Sequence, residues 1–270
     1  MVPATINSTH YRDITCSKIV LKSNITNNKL VGQVALITGA GGGFGESFAK
    51  RFAAEGAKVV IAKINFTAGK QVEQEIRSTH GEDSETALKS TLQKFGKLDI
   101  LINNASTTHP KKPSHDITED KWSKVIDVNM KSIYLSFAVI IPYFREQKKG
   151  VVLNISSIGG LRAKDQLVYY GASKAFVNKM TKGLAAEYGT DGIQVNSICP
   201  LLGYTGLTEI FTGVKATPEF RAKFAASIPL KRGLDHEDLA NAAVFLCSSD
   251  ASFVTGQNLA VDGGSTCMVN

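Results

Sequence analysis

Tyr170 and Lys174 stand four residues apart in the run Tyr170-Gly171-Ala172-Ser173-Lys174. On a helix this spacing puts a phenol and an ammonium on one face, with Cβ atoms about 5–6 Å apart. A free phenol titrates near pH 10, too high for easy proton exchange at neutral pH, and a nearby ammonium favours the phenolate. The pair therefore has the makings of a proton donor and acceptor. Ser157 closes the run Asn154-Ile155-Ser156-Ser157, thirteen residues before Tyr170, about the length of one strand-to-helix loop. At a strand's C-terminal end, where ligands bind in open α/β sheets, its hydroxyl can hydrogen-bond a carbonyl oxygen. Ser156 is read as a turn or cap residue.

A second group of residues points to a phosphate ligand. Thr38-Gly39-Ala40-Gly41-Gly42-Gly43-Phe44-Gly45 follows an apolar run and opens a helical pattern. Glycines at 39, 43 and 45 allow a tight turn and close approach of a pyrophosphate, and the helix N-terminus offers unpaired N–H groups to it. Such loops are commonly followed, at the end of the second strand, by an Asp or Glu that binds the adenosine ribose. Here Lys58-Val59-Val60-Ile61-Ala62 ends in Lys63. An ammonium cannot replace that carboxylate but attracts a 2′-phosphate. The expected cofactor is NADP, with NAD as the other reading.

The elements that must position these residues alternate. Val34–Thr38, Lys58–Ala62, Leu98–Asn103, Val151–Ile155, Ile193–Ile198 and Asn258–Val261 read as strands. Helical patterns lie over 66–78, Ser84–Phe95, about 118–147, 168–189 and 235–248. Strands alternating with helices predict an α/β fold with a doubly wound, Rossmann-like parallel sheet. No repeat or linker divides the chain, so residues 31–270 are expected to form one dinucleotide-binding domain, with 1–30 a disordered or loosely attached tail.

With 43% apolar and 20% charged residues in 270, the chain can bury a sizeable core. Its 31 basic and 24 acidic residues include no basic run interleaved with aromatics, so nucleic acid is not an expected partner. No long uninterrupted apolar stretch is present, so no membrane span is expected. Cys16, Cys199, Cys247 and Cys267 form neither a CxxC pair nor a metal-like cluster with the five histidines. Reduced thiols in a cytoplasmic protein are expected, with a faint mitochondrial leader signal in the Ser/Thr/Asn-rich start.

Taken together, these blocks resemble the short-chain dehydrogenase/reductase family over nearly everything after Lys29. The resemblance rests on the loop Thr38–Gly45, Asn103-Asn104-Ala105, Asn129, Ser157 with Tyr170 and Lys174, Pro200 with Thr205, and Val261-Asp262-Gly263-Gly264. It implies hydride transfer between a nicotinamide and a carbonyl or alcohol carbon. By that resemblance Tyr170 donates or accepts the proton, and Ser157 polarises the carbonyl. Lys174 binds the nicotinamide ribose and lowers the Tyr170 pKa, while Asn129 holds a water in a proton relay. Asn104 and Ala105 would line the cofactor, and Pro200 and Thr205 would meet its nicotinamide side. The family's pairing of two long helices implies a homo-oligomer, a dimer or tetramer.

The sequence also departs from the family. Ser106 and Leu201 replace glycines, and the family's third strand is missing: Ile76–Asp83 runs straight into the pattern Ser84–Phe95. In a parallel sheet each crossover must return the chain to the starting edge. Two antiparallel helices joined at His80–Asp83 would finish at the wrong end. A six-stranded sheet, irregular backbone somewhere in 76–97 and weakened dinucleotide affinity are therefore expected. The apparent deletion around 78–84 also leaves room for a catalytically weak or inactive binding protein of the same fold. Residues 201–230, carrying Leu201, Leu202, Tyr204, Leu207, Ile210, Phe211, Phe220 and Phe224, are expected to form an apolar lid favouring an uncharged, mid-sized substrate. His109, Lys111 and Lys112 are assigned to a solvated loop bordering the entrance.

Overall fold

The computed structural model describes residues 28–62 and 72–268; for 72–83 only the helical backbone is described. Six parallel strands form one sheet in the order β2-β1-β3-β4-β5-β6. They are β1 (Val34–Thr38), β2 (Lys58–Ala62), β3 (Ile100–Asn103), β4 (Gly150–Ile155), β5 (Ile193–Pro200) and β6 (Asn258–Val261). The order reverses at β1, so the expected doubly wound α/β architecture is present.

Helices cover both faces. On one, α1 (Gly43–Ala54) and α8 (His236–Cys247) pack Phe48, Phe52, Leu239 and Val244 against Ala35, Ile37, Ile100 and Ile102. On the other, α2 (Val72–Phe95), α4 (Ser132–Gln147) and α5 (Val168–Tyr188) bury Ala87, Ile140, Phe144 and Val177 against Leu36, Leu101, Val152 and Val195. Successive strand residues point to opposite faces, so both faces being covered requires the near-continuous apolar runs seen in β1 and β3. Each fully buried Phe or Leu contributes about 1.5–3 kcal/mol of burial free energy. α3 (Glu119–Ile126) runs through a π-turn, Asp127–Lys131, into α4. The lid carries α6 (Thr208–Thr212) and α7 (Pro218–Ala226).

The irregular backbone expected within 76–97 is confined to its last two residues. One helix, α2, runs unbroken for 24 residues, and irregular backbone begins only at Gly96. A rise of about 1.5 Å per residue makes it about 36 Å long. A single helix makes a single return, which satisfies the chain-direction constraint that two antiparallel helices would violate. Keeping Gly81 inside a helix costs about 1 kcal/mol relative to Ala, far less than misplacing a strand. α2 crosses over β1 to reach β3, packing on α4.

The body also begins earlier than residue 31. Leu30 is fully buried, its N–H donates to Glu55 O, and Lys29 pairs with Asp250. The rest of the proposed tail, residues 1–27, lies outside the described residues. The continuous α3–α4 segment Glu119–Gln147 is long and apolar enough to cross a membrane. It is a core helix: Ile133, Phe137, Ile140, Ile141 and Phe144 are spent against the sheet.

Candidate active site

The C-terminal ends of β1, β3, β4 and β5 open into a cleft of about 1020 Å³. Of the sequence-derived site residues, Gly39, Gly43, Phe44, Gly45, Asn104, Ala105, Ser157, Tyr170, Lys174, Pro200 and Thr205 all line it. Lys63 lies outside the described residues. Asn129 does not line the cleft but lies directly behind it.

The glycine-rich loop is held by the end of β3. Asn104 Nδ2 donates to Thr38 O and Gly39 O, while Thr38 Oγ1 accepts from the N–H groups of Asn104 and Ala105. Gly45 cannot be larger: a Cβ there would lie 2.5 Å from Asn104 Nδ2 and 2.7 Å from Gly39 O. Gly39 has φ +68° and sits against the Ala105 backbone. Thr205 packs on Gly43 and accepts the Leu207 N–H, which ties the lid to this loop. The loop thus leaves backbone and a helix N-terminus facing the cleft, a surface that fits a pyrophosphate.

Ser157, Tyr170 and Lys174 meet where β4 hands over to α5. Ser157 is the polar neighbour of the Tyr170 hydroxyl, and its Oγ accepts the Gly159 N–H at 3.0 Å. Burial pushes the Tyr170 pKa up to about 12, against the opposing effect of Ser157. Lys174, 1% exposed, donates to Ile155 O at 2.9 Å. Burial lowers its pKa to about 7. The expected lowering of the tyrosine by the lysine is therefore not expressed. Nζ lies 5.8 Å from the Tyr170 ring centroid, and desolvation takes from the ammonium the charge that would act on the phenol. Ser156, read as a cap residue, instead donates to Lys174 O and fastens β4 to α5.

The Asn129 side chain is fully spent on protein. Nδ2 donates to Thr107 O and Ser173 Oγ, and Oδ1 accepts from Thr107 N and Ser106 Oγ. That uses both donors and both acceptor sites of the amide. The expectation that Asn129 holds a water is thereby narrowed to its backbone, and its side chain instead joins the π-turn, the 105–107 loop and α5.

His109 corrects the sequence reading most clearly. It is not solvated but 1% exposed, and its Nε2 faces the Tyr170 N–H at 3.4 Å. The N-cap residue of α5, Leu167, makes no side-chain capping bond, so His109 takes that place from another loop. With its proton on Nδ1, donated to Pro110 O at 2.9 Å, the ring satisfies both contacts. Cys199, buried beside Lys174, was likewise missed as a site neighbour; burial raises its pKa and leaves it a thiol. No local spacing signals either residue, because both reach the site through loop packing or strand pairing.

Comparison with known proteins agrees with this geometry. A family profile described as enoyl-(acyl carrier protein) reductase matches residues 39–266. The chain is 37% identical over 244 residues to 4-formylbenzenesulfonate dehydrogenase of Comamonas testosteroni, covering 86% of this chain and 97% of that one. Since 86% of 270 residues is fewer than 244, this chain lacks residues that the relative has inside the matched span. Meso-2,3-butanediol dehydrogenase of Serratia marcescens is 33% identical over 87% of this chain and 94% of its own. Among solved structures, 3-ketoacyl-(acyl-carrier-protein) reductase from Brucella melitensis, complexed with NADH, superposes with a TM-score of 0.78 at 39% identity, over 88% and 99% of the two chains. Gluconate 5-dehydrogenase from Burkholderia cenocepacia, in complex with NADP and tartrate, gives 0.78 at 28% identity over 90% and 98%. With this fold, this cleft and these relatives, the chain belongs to the short-chain dehydrogenase/reductase family.

Proposed function

We propose that this protein is an oxidoreductase transferring a hydride between NADP(H) and the carbonyl or alcohol carbon of a small-molecule substrate. The observation that carries the reading is the meeting of Ser157, Tyr170 and Lys174 on the wall of the cleft that also contains the glycine-rich loop. A bound nicotinamide supplies or takes up the hydride. In reduction, the Tyr170 hydroxyl gives its proton to the substrate oxygen, and Ser157 donates a second hydrogen bond to the same oxygen. A phenol held near 12 stays protonated at neutral pH and is therefore ready to donate. Lys174 has three N–H donors and gives one to Ile155, which leaves two for ribose hydroxyls. Contact with the polar ligand favours the ammonium, and the ammonium in turn favours the phenolate formed on proton transfer.

The choice of NADP rests on Lys63 at the end of β2, as argued from the sequence. Tyr134 on α4 and Phe176 on α5, 63% and 38% exposed, support assembly into a homo-oligomer through these helices. A second reading, a binding protein without turnover, draws on the position of β2 as the sheet edge, since an edge strand offers the adenine end one fewer neighbour.

The test is to titrate the purified chain with NADPH and NADH by nicotinamide fluorescence, then follow cofactor oxidation with a panel of aldehydes and ketones. Tighter NADPH binding with turnover is expected. Binding without turnover would favour the second reading, and neither binding nor turnover would overturn both.

A further inference from the structure

The cleft has a charge asymmetry that hydride transfer itself does not need. Lys124, Arg162, Lys164 and Lys174 line it, and among the described residues no Asp or Glu does. Lys174 belongs to the reaction centre. Arg162 and Lys164 lie on the loop between β4 and α5, which begins at Ser157 and ends at Tyr170. Arg162 Nη1 donates to Ser265 O, beyond the end of β6, so the guanidinium is anchored across the β4–β6 side of the cleft. The glycine-rich loop follows β1, with β3 between β1 and β4. These two cations are therefore placed on the substrate side of Tyr170, away from the loop that would face the pyrophosphate.

Among the described residues neither Arg162 nor Lys164 forms a salt bridge. Asp165, whose charge acts on Lys164, accepts from the Gln166 amide. Lys111 approaches Lys164 from the loop after β3, setting two like charges together at the rim. Desolvation against the cleft wall, and after it that neighbour, lower the pKa of Lys164, a residue exposed overall. An anion seated between these groups would relieve the repulsion and receive charge-assisted hydrogen bonds, with a planar or tetrahedral acid group suited to the Arg162 fork. Ile158, Leu201, Leu207, Phe211 and Phe224 give the same cleft an apolar lining.

We propose that the substrate is an amphiphilic carbonyl or alcohol compound whose apolar body lies against Leu201 and Phe211 and whose carboxylate or sulfonate group is held by Arg162 and Lys164. This replaces the uncharged substrate suggested by the lid residues alone. It rests on the oxidoreductase reading for the carbonyl, but not for the acid group.

The experiment compares 4-carboxybenzaldehyde and 4-formylbenzenesulfonate with benzaldehyde, using the full chain and its Arg162→Gln, Lys164→Gln and double variants. In the wild type, kcat/KM is expected to favour the acids. In the double variant that preference should fall by about 5- to 50-fold, mainly through KM, as expected for loss of charge-assisted contacts at a partly exposed site. Calorimetric titration with terephthalate gives a reading independent of turnover: binding by the wild type and its loss in the double variant would support the anion site even if no aldehyde is reduced. Reduction of benzaldehyde with no preference for the acids would overturn the proposal and leave the oxidoreductase reading standing. A double variant whose main loss is NADPH affinity would assign these cations to the cofactor and also overturn it.

Discussion

The Phe211 ring stands edge-on to the Tyr170 ring, with centroids 4.7 Å apart and planes at 79°. The lid helix α6 thus supplies one wall of the pocket in which the phenol is buried, and Ile210 O in the same helix accepts the Lys111 N–H. Solvation of the phenol hydroxyl is consequently tied to the position of the lid.

Phe211→Ala should let water reach the phenol. Burial is the largest cause of the raised Tyr170 pKa, so its removal moves that pKa down from about 12 toward the ordinary value near 10. The basic limb of the pH–rate profile is expected to move to lower pH, with KM rising more than kcat falls. A profile that stays in place would show that the ring contact does not govern the phenol.

Tyr170→Phe keeps the ring and its packing and removes the proton. Turnover should drop by about 10²–10⁴-fold, the usual contribution of general acid–base catalysis. The melting temperature should change little, because the hydroxyl loses only its Ser157 neighbour. Turnover within a few-fold of wild type would remove Tyr170 from the mechanism.

Lys174 makes stability depend on pH in a defined direction. Its folded pKa of about 7 lies below the value of about 10.4 in an unfolded chain. Between those values the unfolded chain holds the proton and the folded chain does not, so stability rises with pH over that window. Below pH 7 both forms are protonated and the full cost of burying the ammonium remains. Tyr170 acts in the opposite sense between about 10 and 12, where the unfolded phenol has ionised and the folded one has not. The melting temperature of the wild type relative to Lys174→Met should therefore climb from pH 7 to about 9.5. A constant difference would mean that the buried amine does not titrate as described.

Gly45→Ala puts a methyl group where Asn104 Nδ2 and Gly39 O already stand. Overpacking of this kind costs about 1–3 kcal/mol. Chemical denaturation should read that loss, and dinucleotide titration a larger one, since Asn104 can no longer hold the loop. Unchanged nucleotide affinity would separate the loop from the cofactor.

Lys63→Asp should weaken NADPH binding and improve NADH binding. One exposed charge contact is worth about 1 kcal/mol and a partly buried one more, so a several-fold to tens-of-fold shift from NADPH toward NADH is expected. Equal ratios in both proteins would show that no 2′-phosphate is read at this position.

The sequence by itself determined the sheet, the glycine loop and the catalytic spacing, because each is carried by local pattern. Apolar runs separated by helical periods are enough to specify buried parallel strands, and Tyr170 and Lys174 share a helix face by geometry alone. It also carried the missing strand, since a six-stranded sheet follows from the elements present. Tertiary structure decided what those elements meet. Gly81 stays helical because one crossover, not two, returns the chain to β3, and a propensity of about 1 kcal/mol yields to that constraint. His109 sits in polar surroundings in the sequence, yet loop packing buries it against the first turn of α5. The titration of Tyr170 was read from its neighbour Lys174, whereas desolvation of both groups by the surrounding elements sets it. Arg162 and Lys164 carry no local signal in the sequence, and only the fold places them on the wall of the cleft. Spacing along a chain reports which side chains share an element; burial and charge at a site depend on every element that packs around it.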